Sequence, residues 1–527
     1  MLGASYKAIW SMQPKEAPIF GRWRSLFWPI HGRELKKFLP LLLMFALISF
    51  NYNLLRSYKD SVVITATSSG AEVLPFIKVW AILPGAVLLT FLFTKLANRY
   101  SREKVFYVMM ALFLAFFFLF TFVLYPARNF LHPNEFADKL QLILPEGFKG
   151  LIAMFRNWTL TLFYVMAELW GTAILSVLFW GFTNEVTSVS ESKRYYGILT
   201  TGANLACFFA AELTVHFNAS KLFFPWVPYG DTSWDQSILF LNCIILLNGV
   251  ATVAIFRWLN RHAIKPTMTE KGSHEAPEKI KMSMRQNFAY LAKSPYLLCI
   301  AGIVLTYNLV MNLAEVVWKN QINQLYPDPS EFTVYFGEVM AFMAVIATFA
   351  GLFVTNSFIR KSWTLTALVP PLITLIFGAC FFLFTLFQHW DVRFAGIFFG
   401  TTPLFLSVFF GSLQNSMSRA CKYTLYDATK EMAFIPLSPE SKLKGKAVID
   451  GVGSRLGKSA GSVIHQGLIL ILSSVASSTP YVAALFFAVI FIWILSVISL
   501  GKQFETLSAH KQTLTLPEDP LLVKEGT

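Results

Sequence analysis

Long apolar runs broken by short polar segments recur from about residue 37 to about residue 502. A helix needs about 20 mostly apolar residues to cross the hydrocarbon core of a bilayer. By that rule the pattern predicts twelve crossings: near 37–64, 72–97, 104–125, 151–186, 193–217 and 237–259, then near 295–320, 333–359, 364–388, 394–429, 446–473 and 480–502. The fourth and tenth runs exceed the length of one crossing, which implies tilt or extension beyond the bilayer. The longest polar stretch between runs, 260–285, falls at the midpoint and is rich in Lys, Glu, Pro and Ser. The expected fold is therefore an all-α polytopic membrane protein. It comprises a tail (1–36), a six-helix bundle (37–261), a linker (262–285), a second six-helix bundle (286–504) and a second tail (505–527).

Composition agrees. Apolar residues make up 55% of the chain, Phe alone supplies 52, and mean hydropathy is +0.54. Charged residues make up 14%, against about 25% in a soluble domain. A soluble enzyme, a secreted disulfide scaffold and a disordered chain are excluded. Cys207, Cys243, Cys299, Cys380 and Cys421 are scattered through apolar sequence and read as small core residues. The eight histidines are dispersed without metal-ligand spacing, and no nucleophile–base arrangement stands out. Neither a metal, a cofactor nor an enzymatic activity is expected. The first 35 residues are basic and mixed, without the compact apolar run of a cleavable signal peptide.

Charge sets the orientation, because Lys and Arg stay in the cytoplasm. The tail before Phe38, the loops after the second, fourth and eighth runs, the midpoint linker and the segment before the eleventh run carry most of the basic residues. Both termini are thus expected in the cytoplasm. The net charge of +14 reads as topology and contact with anionic lipid rather than nucleic-acid binding.

The two halves share weak internal similarity. Tyr52-Asn53-Leu54 followed by Asp60 matches Tyr307-Asn308-Leu309 followed by Glu315, at an offset of 255. Glu191-Ser192-Lys193 followed by Gly202 matches Glu440-Ser441-Lys442 followed by Gly451, at an offset of 249. Paired six-helix repeats around a central site are the plan of the major facilitator fold, which alternates access by rocking one half against the other.

Ionisable side chains deep in a membrane helix are costly, which makes them functional candidates. Arg56, Lys59 and Asp60 share one face of the first run by helical spacing. Glu168 lies in the fourth, Glu315 in the seventh, Lys446, Arg455 and Lys458 in the eleventh. Arg56, Lys59, Lys446, Arg455 and Lys458 suit phosphate oxygens. Glu168 and Glu315 would pair with the lysines in an empty site or accept hydrogen bonds from a base or sugar. The blander reading of these charges is ion pairs that brace the bundle. Lys319 is expected as an interfacial anchor, and Arg419, Lys422 and Asp427 as snorkelling or interfacial gate residues. The run Gly453-Ser454-Arg455-Leu456-Gly457-Lys458-Ser459 is one residue too short for a phosphate-binding P-loop and lies in a membrane run. Its glycines read as close helix packing or backbone room for substrate.

Several motifs resemble one family. They are Tyr58-Lys59-Asp60, Gly70-Ala71-Glu72, Pro75-Phe76, Tyr125-Pro126, His132-Pro133, Ala137-Asp138-Lys139-Leu140 and the run from Phe163 through Asn184. Leu313-Ala314-Glu315-Val316, Phe399-Gly400-Thr401-Thr402-Pro403-Leu404, Thr429-Lys430-Glu431-Met432-Ala433, Ile435-Pro436-Leu437 and Gly457-Lys458-Ser459 follow. Over about residues 25–505 the chain resembles the non-mitochondrial ATP/ADP translocases, the nucleotide transporters of plastids and obligate intracellular bacteria. The resemblance implies nucleotide transport across the inner membrane of a parasitic or symbiotic bacterium, of the chlamydial branch; a monomer is expected because the major facilitator fold can work as one. The resemblance carries the family's two transport-critical lysines and two glutamates onto Lys59, Glu168, Glu315 and Lys458. The chain departs from the exchangers of the family in two places. Arg56-Ser57-Tyr58-Lys59-Asp60 stands where they resemble Arg-Asp-Thr-Lys-Asp, and Glu212 and His216 stand where they carry an Arg and an apolar or aromatic residue. A titratable acid beside an imidazole suggests proton coupling, with Glu212, His216 and Asp60 as its candidates. The expected function is import of nucleoside triphosphates (ATP, GTP, CTP, UTP) coupled to protons. Strict ATP/ADP exchange is the alternative, and another organic-phosphate carrier a more remote one.

Overall fold

A computed structural model describes residues 24, 28–263, 294–351, 362–389, 401–437, 449 and 453–515. The expected linker, most of both tails and Lys446 lie outside these residues. Every regular element among the described residues is helical. Twelve helices correspond in order to the predicted runs. In the first half these are α1 (Leu35–Ile64), α2 (Val73–Arg99), α3 (Arg102–Leu124), α4 (Trp158–Val186), α5 (Val189–Ala219) and α6 (Ser233–His262). In the second they are α7 (Pro295–Leu325), α8 (Pro329–Phe349), α9 (Trp363–Leu386), α10 (403–433), α11 (Ser454–Leu472) and α12 (Val475–Thr515).

Length and apolarity alone qualify ten of these helices as crossings. The exceptions are α10 and α11. Helix α10 buries Ser407, Ser412, Gln414, Asn415, Ser416 and Ser418, which lowers its hydropathy without exposing it to water. Helix α11 is described from Ser454 to Leu472, and its apolar stretch within these residues is Leu456–Leu472. The excess length of the fourth run has a different cause from tilt. A separate helix, Lys149–Arg156, ends at Asn157, and α4 begins at Trp158. The Asn157 side chain donates to the carbonyls of Thr67 and Ala153 and fixes the break.

Polar caps set where several helices start. Ser188 accepts from the Glu191 amide and Thr232 from the Asp235 amide, each in a reciprocal capping box. Asp328 accepts from the amides of Ser330 and Glu331, with Pro329 in the first turn.

Helix α1 is packed by α4, α5 and α6, and α7 correspondingly by α10, α11 and α12. The halves touch where α5 and α1 meet α8, and where α11 meets α2 and the segment before α4. The cross-half contacts gather at the end where α1, α5, α7 and α11 finish. Thr333 Oγ1 of α8 donates to Ser61 Oγ of α1 at 2.6 Å. Lys221 pairs with Glu331 at 3.6 Å. Gly337 of α8 faces Ala211 and Val215 of α5, and Gly147 faces the Ile469 and Leu470 backbone of α11. At the opposite end Lys37–Glu191, Arg194–Glu34, Arg102–Glu185 and Lys422–Asp427 each stay within one half. Among the described residues no ion pair crosses between halves there.

Gly457, within the run 453–459 that falls one residue short of a P-loop, and Gly461 just after it pack closely against α7. A Cβ on Gly457 would lie 2.9 Å from the Leu305 carbonyl oxygen, and one on Gly461 2.8 Å from Asn312 Cβ, both on α7. Close approach of this kind is how small residues hold membrane helices together. Gly457→Val is expected to cost about 1–3 kcal/mol by overpacking, read as a lowered Tm in detergent. An unchanged Tm would show that α7 and α11 separate freely at this point.

Candidate functional site: a charge network between the halves

The last turns of α1 place Lys59 and Asp60 inside the bundle, with side chains 7% and 2% exposed. Lys59 Nζ lies 3.2 Å from Glu168 of α4 and 3.4 Å from Asp60, over the Tyr164 ring at 3.9 Å. The other Asp60 oxygen takes Lys319 Nζ of α7 at 2.9 Å. Lys319 donates in turn to Glu315 Oε1, one helical turn earlier, at 2.8 Å. Glu315 also receives Lys78 of α2 on Oε2 at 3.5 Å and Arg419 of α10 on Oε1 at 3.4 Å. The result is one continuous chain of charge, Glu168–Lys59–Asp60–Lys319–Glu315, ending in Lys78 and Arg419. It joins five helices from both halves.

Accessibility divides this network in two. Asp60 and Lys319 are sealed, at 2% and 1%. Glu168 is 47% exposed beside the 7%-exposed Lys59, so it borders a solvent-accessible space between the helices, the cavity. Lys78, Glu315 and Arg419 are each about one-fifth open. A sealed pair is a fastening, whereas part-open charges can be reached by an ion entering the cavity.

The expected site residues fall into three groups. Lys59, Asp60, Glu168 and Glu315 come together directly, and the lysine–glutamate pairing expected of an empty site is present as Lys59–Glu168. Arg56 lies within electrostatic reach of Tyr52, Tyr423 and Glu315, and Lys458 within reach of Glu168. Neither cation has an ion pair among the described residues. Lys446 and the Arg455 side chain lie outside the described residues. Glu212 and His216 stay apart from the network. They continue an exposed stripe of α5 that includes Leu205 (50%) and Phe209 (59%), while Ala211, Thr214 and Asn218 face inward. His465 is buried, and its Nε2 lies 3.0 Å from the Leu313 carbonyl, fastening α11 to α7.

Two blander expectations give way. Lys319 is not an interfacial anchor, because α7 continues to Leu325 and carries it inside, between two carboxylates. Arg419 turns inward to Glu315 and to the Asn415 side chain rather than snorkelling. Lys78 joins the site without having been singled out by sequence. Its signal was the apolar sequence around it, Phe76-Ile77-Lys78-Val79-Trp80.

Three stretches of π-helix fall beside site charges: Lys78–Ile82, Gly171–Phe179 just after Glu168, and Lys422–Tyr426 just after Arg419. Wider turns of this kind re-aim side chains and recur at functional sites. A fourth, Phe120–Leu124 in α3, has no such neighbour.

The profile of the TLC ATP/ADP transporter family matches residues 13–504. The chain is 44% identical over 503 residues to ADP,ATP carrier protein 1 of Chlamydia muridarum, covering 95% of this chain and 94% of that protein. It is 42% identical to ADP,ATP carrier protein 2 of Chlamydia pneumoniae, over 97% and 96% of the two chains. It is 39% identical to the chloroplastic ADP,ATP carrier protein 1 of Arabidopsis thaliana, over 91% of this chain and 75% of that one. Among solved structures, a bacterial homologue of the lysosomal transporter Spinster covers 93% of this chain at 13% identity and a TM-score of 0.45, a likeness too low to bear on mechanism. These relatives are carriers, not enzymes. By profile and by identity over nearly its whole length, the chain belongs to the TLC ATP/ADP transporter family.

Proposed function

We propose that the chain carries nucleotides through this cavity by alternating access, exchanging ATP for ADP. The observation that carries the reading is the charge balance of the site. Arg56, Lys59, Lys78, Lys319, Arg419 and Lys458 face Asp60, Glu168 and Glu315, a surplus of three positive charges among the described residues. Near neutral pH a nucleoside diphosphate carries about three negative charges and a triphosphate nearly four. Either ion therefore neutralises a cavity that is costly to leave empty, and Arg56 and Lys458 have no ion pair among the described residues to give up. The names of the relatives point to the same pair of substrates. The two bundles would rock about the network, in a bacterial inner membrane with both termini cytoplasmic. In that orientation the described cross-half contacts Thr333–Ser61 and Lys221–Glu331 lie at the outer end.

Proton-coupled import of several triphosphates has less support in the geometry. Of its three proposed couplers, Glu212 and His216 lie on the exposed stripe of α5, and Asp60, although in the network, is already held between Lys59 and Lys319. The discriminating experiment is uptake of radiolabelled ATP, GTP, CTP and UTP into proteoliposomes, with and without internal ADP and with and without a proton ionophore. Exchange predicts uptake of ATP that depends on internal ADP and ignores the ionophore. Uptake of several triphosphates into empty vesicles, abolished by the ionophore, would replace this reading with proton-coupled import.

A further inference from the structure

We infer that Lys78 and Arg419 form a polyphosphate clamp across the two halves, held ready by Glu315; the inference rests on the nucleotide-carrier reading above. Lys78 comes from α2 in the first half and Arg419 from α10 in the second. They bind opposite oxygens of one carboxylate, Lys78 on Oε2 at 3.5 Å and Arg419 on Oε1 at 3.4 Å. They therefore face each other across the width of a group that a phosphoryl unit, with oxygens on every side, can replace. Both distances are long for charge-assisted hydrogen bonds, which run at about 2.7–2.9 Å. The tighter partner of Glu315 is Lys319, at 2.8 Å. When phosphate takes Lys78 and Arg419, Glu315 thus keeps a strong partner of its own. No carboxylate is stranded by the exchange.

The accessibilities fit this division of labour. The two clamp cations are about one-fifth open, while Lys319 is sealed at 1%. Each clamp residue also stands at a widened helical turn: Lys78 opens the π-helical stretch Lys78–Ile82, and Arg419 precedes the stretch Lys422–Tyr426. The chemistry is divided too. The arginine offers a planar fork for two phosphate oxygens and the lysine a point charge. Binding would break the Lys78–Glu315 tie between the halves and replace it with a bridge through the substrate. Loading the carrier and reshaping the contact between its halves would then be one event.

The test is equilibrium binding of ATP, ADP and AMP to the purified full-length protein in detergent. A clamp for the outer phosphates must act on ATP far more than on AMP, whereas a merely structural role weakens all three alike. Lys78→Gln and Arg419→Gln are each expected to lower ATP affinity by about tenfold, the scale of one lost charged hydrogen bond, with AMP changed by less than about twofold. The ratio of ATP to AMP affinity would fall accordingly. Arg419→Lys, which keeps the charge and loses the fork, is expected to recover only part of the ratio and guards against a neutral variant that fails to fold. Loss of ATP affinity with an unchanged ATP-to-AMP ratio in all these variants would overturn the clamp while leaving the carrier reading intact. Failure of the unsubstituted protein to bind any of the three nucleotides would overturn both.

Discussion

Lys319→Gln is expected to lower the unfolding free energy by about 3–5 kcal/mol, the usual cost of removing one partner from a buried ion pair. Lys319 is the sealed centre of the network, 2.9 Å from Asp60 and 2.8 Å from Glu315. Without it Asp60 keeps, as ion-pair partner among the described residues, Lys59 at 3.4 Å, with the neutral Tyr164 hydroxyl beside it, and water cannot reach a side chain that is 2% exposed. The cost therefore lies in the stranded carboxylate more than in the lost attraction. That distinction is testable. Asp60→Asn in the Lys319→Gln background removes the stranded charge and is expected to recover most of the loss, although it restores no ion pair. Thermal unfolding in detergent reads both variants. A loss below about 1 kcal/mol for Lys319→Gln would mean that Asp60 finds another partner or takes up a proton cheaply, and the sealed fastening would then be no fastening.

The all-helical class and the order of the helices were legible because hydrocarbon thickness imposes one length scale on every crossing, and ten of the twelve expected runs qualify as crossings by length and apolarity. The exceptions have physical causes. Helix α10 buries serine, asparagine and glutamine on its inward side, and a hydropathy window cannot tell a polar face turned to protein from one turned to water. Lys319 was misjudged for a related reason. The residues after it, Asn320, Gln321, Asn323 and Gln324, look like the exit from the membrane. In the fold the helix runs on, and Gln321 is itself buried. Lys59, Glu168 and Glu315 could be found because apolar neighbours betray their depth, and Lys78 obeys the same rule. What sequence cannot give is azimuth. Glu212 and His216 are four residues apart and therefore share a face, but which face α5 turns inward is decided by its packing on α1 and α8. That packing selects Ala211, Thr214 and Asn218 instead.

Lys59→Gln is expected to behave in the opposite way to Lys319→Gln: transport falls by about tenfold to a hundredfold, while stability changes by about 1 kcal/mol or less. The contrast follows from what each lysine leaves behind. Glu168 loses Lys59 but is 47% open to the cavity and can be hydrated. Asp60 loses a partner at 3.4 Å and keeps the closer Lys319 at 2.9 Å. No charge is stranded, so folding has little to lose. The cavity, however, loses one positive charge and the contact over the Tyr164 ring, and an incoming nucleotide meets a weaker field just where the halves converge. Counterflow of labelled nucleotide in proteoliposomes, normalised to folded protein, separates the two effects. If activity per folded molecule stayed at the unsubstituted level, Lys59 would be a brace and the surplus charge of the site would reside on Arg56, Lys78, Arg419 and Lys458. Lys59→Arg refines the outcome. It keeps the charge, but the planar guanidinium cannot hold the compact position between Glu168, Asp60 and the Tyr164 ring. Partial recovery is therefore expected, and full recovery would show that net charge, not placement, is what the cavity requires.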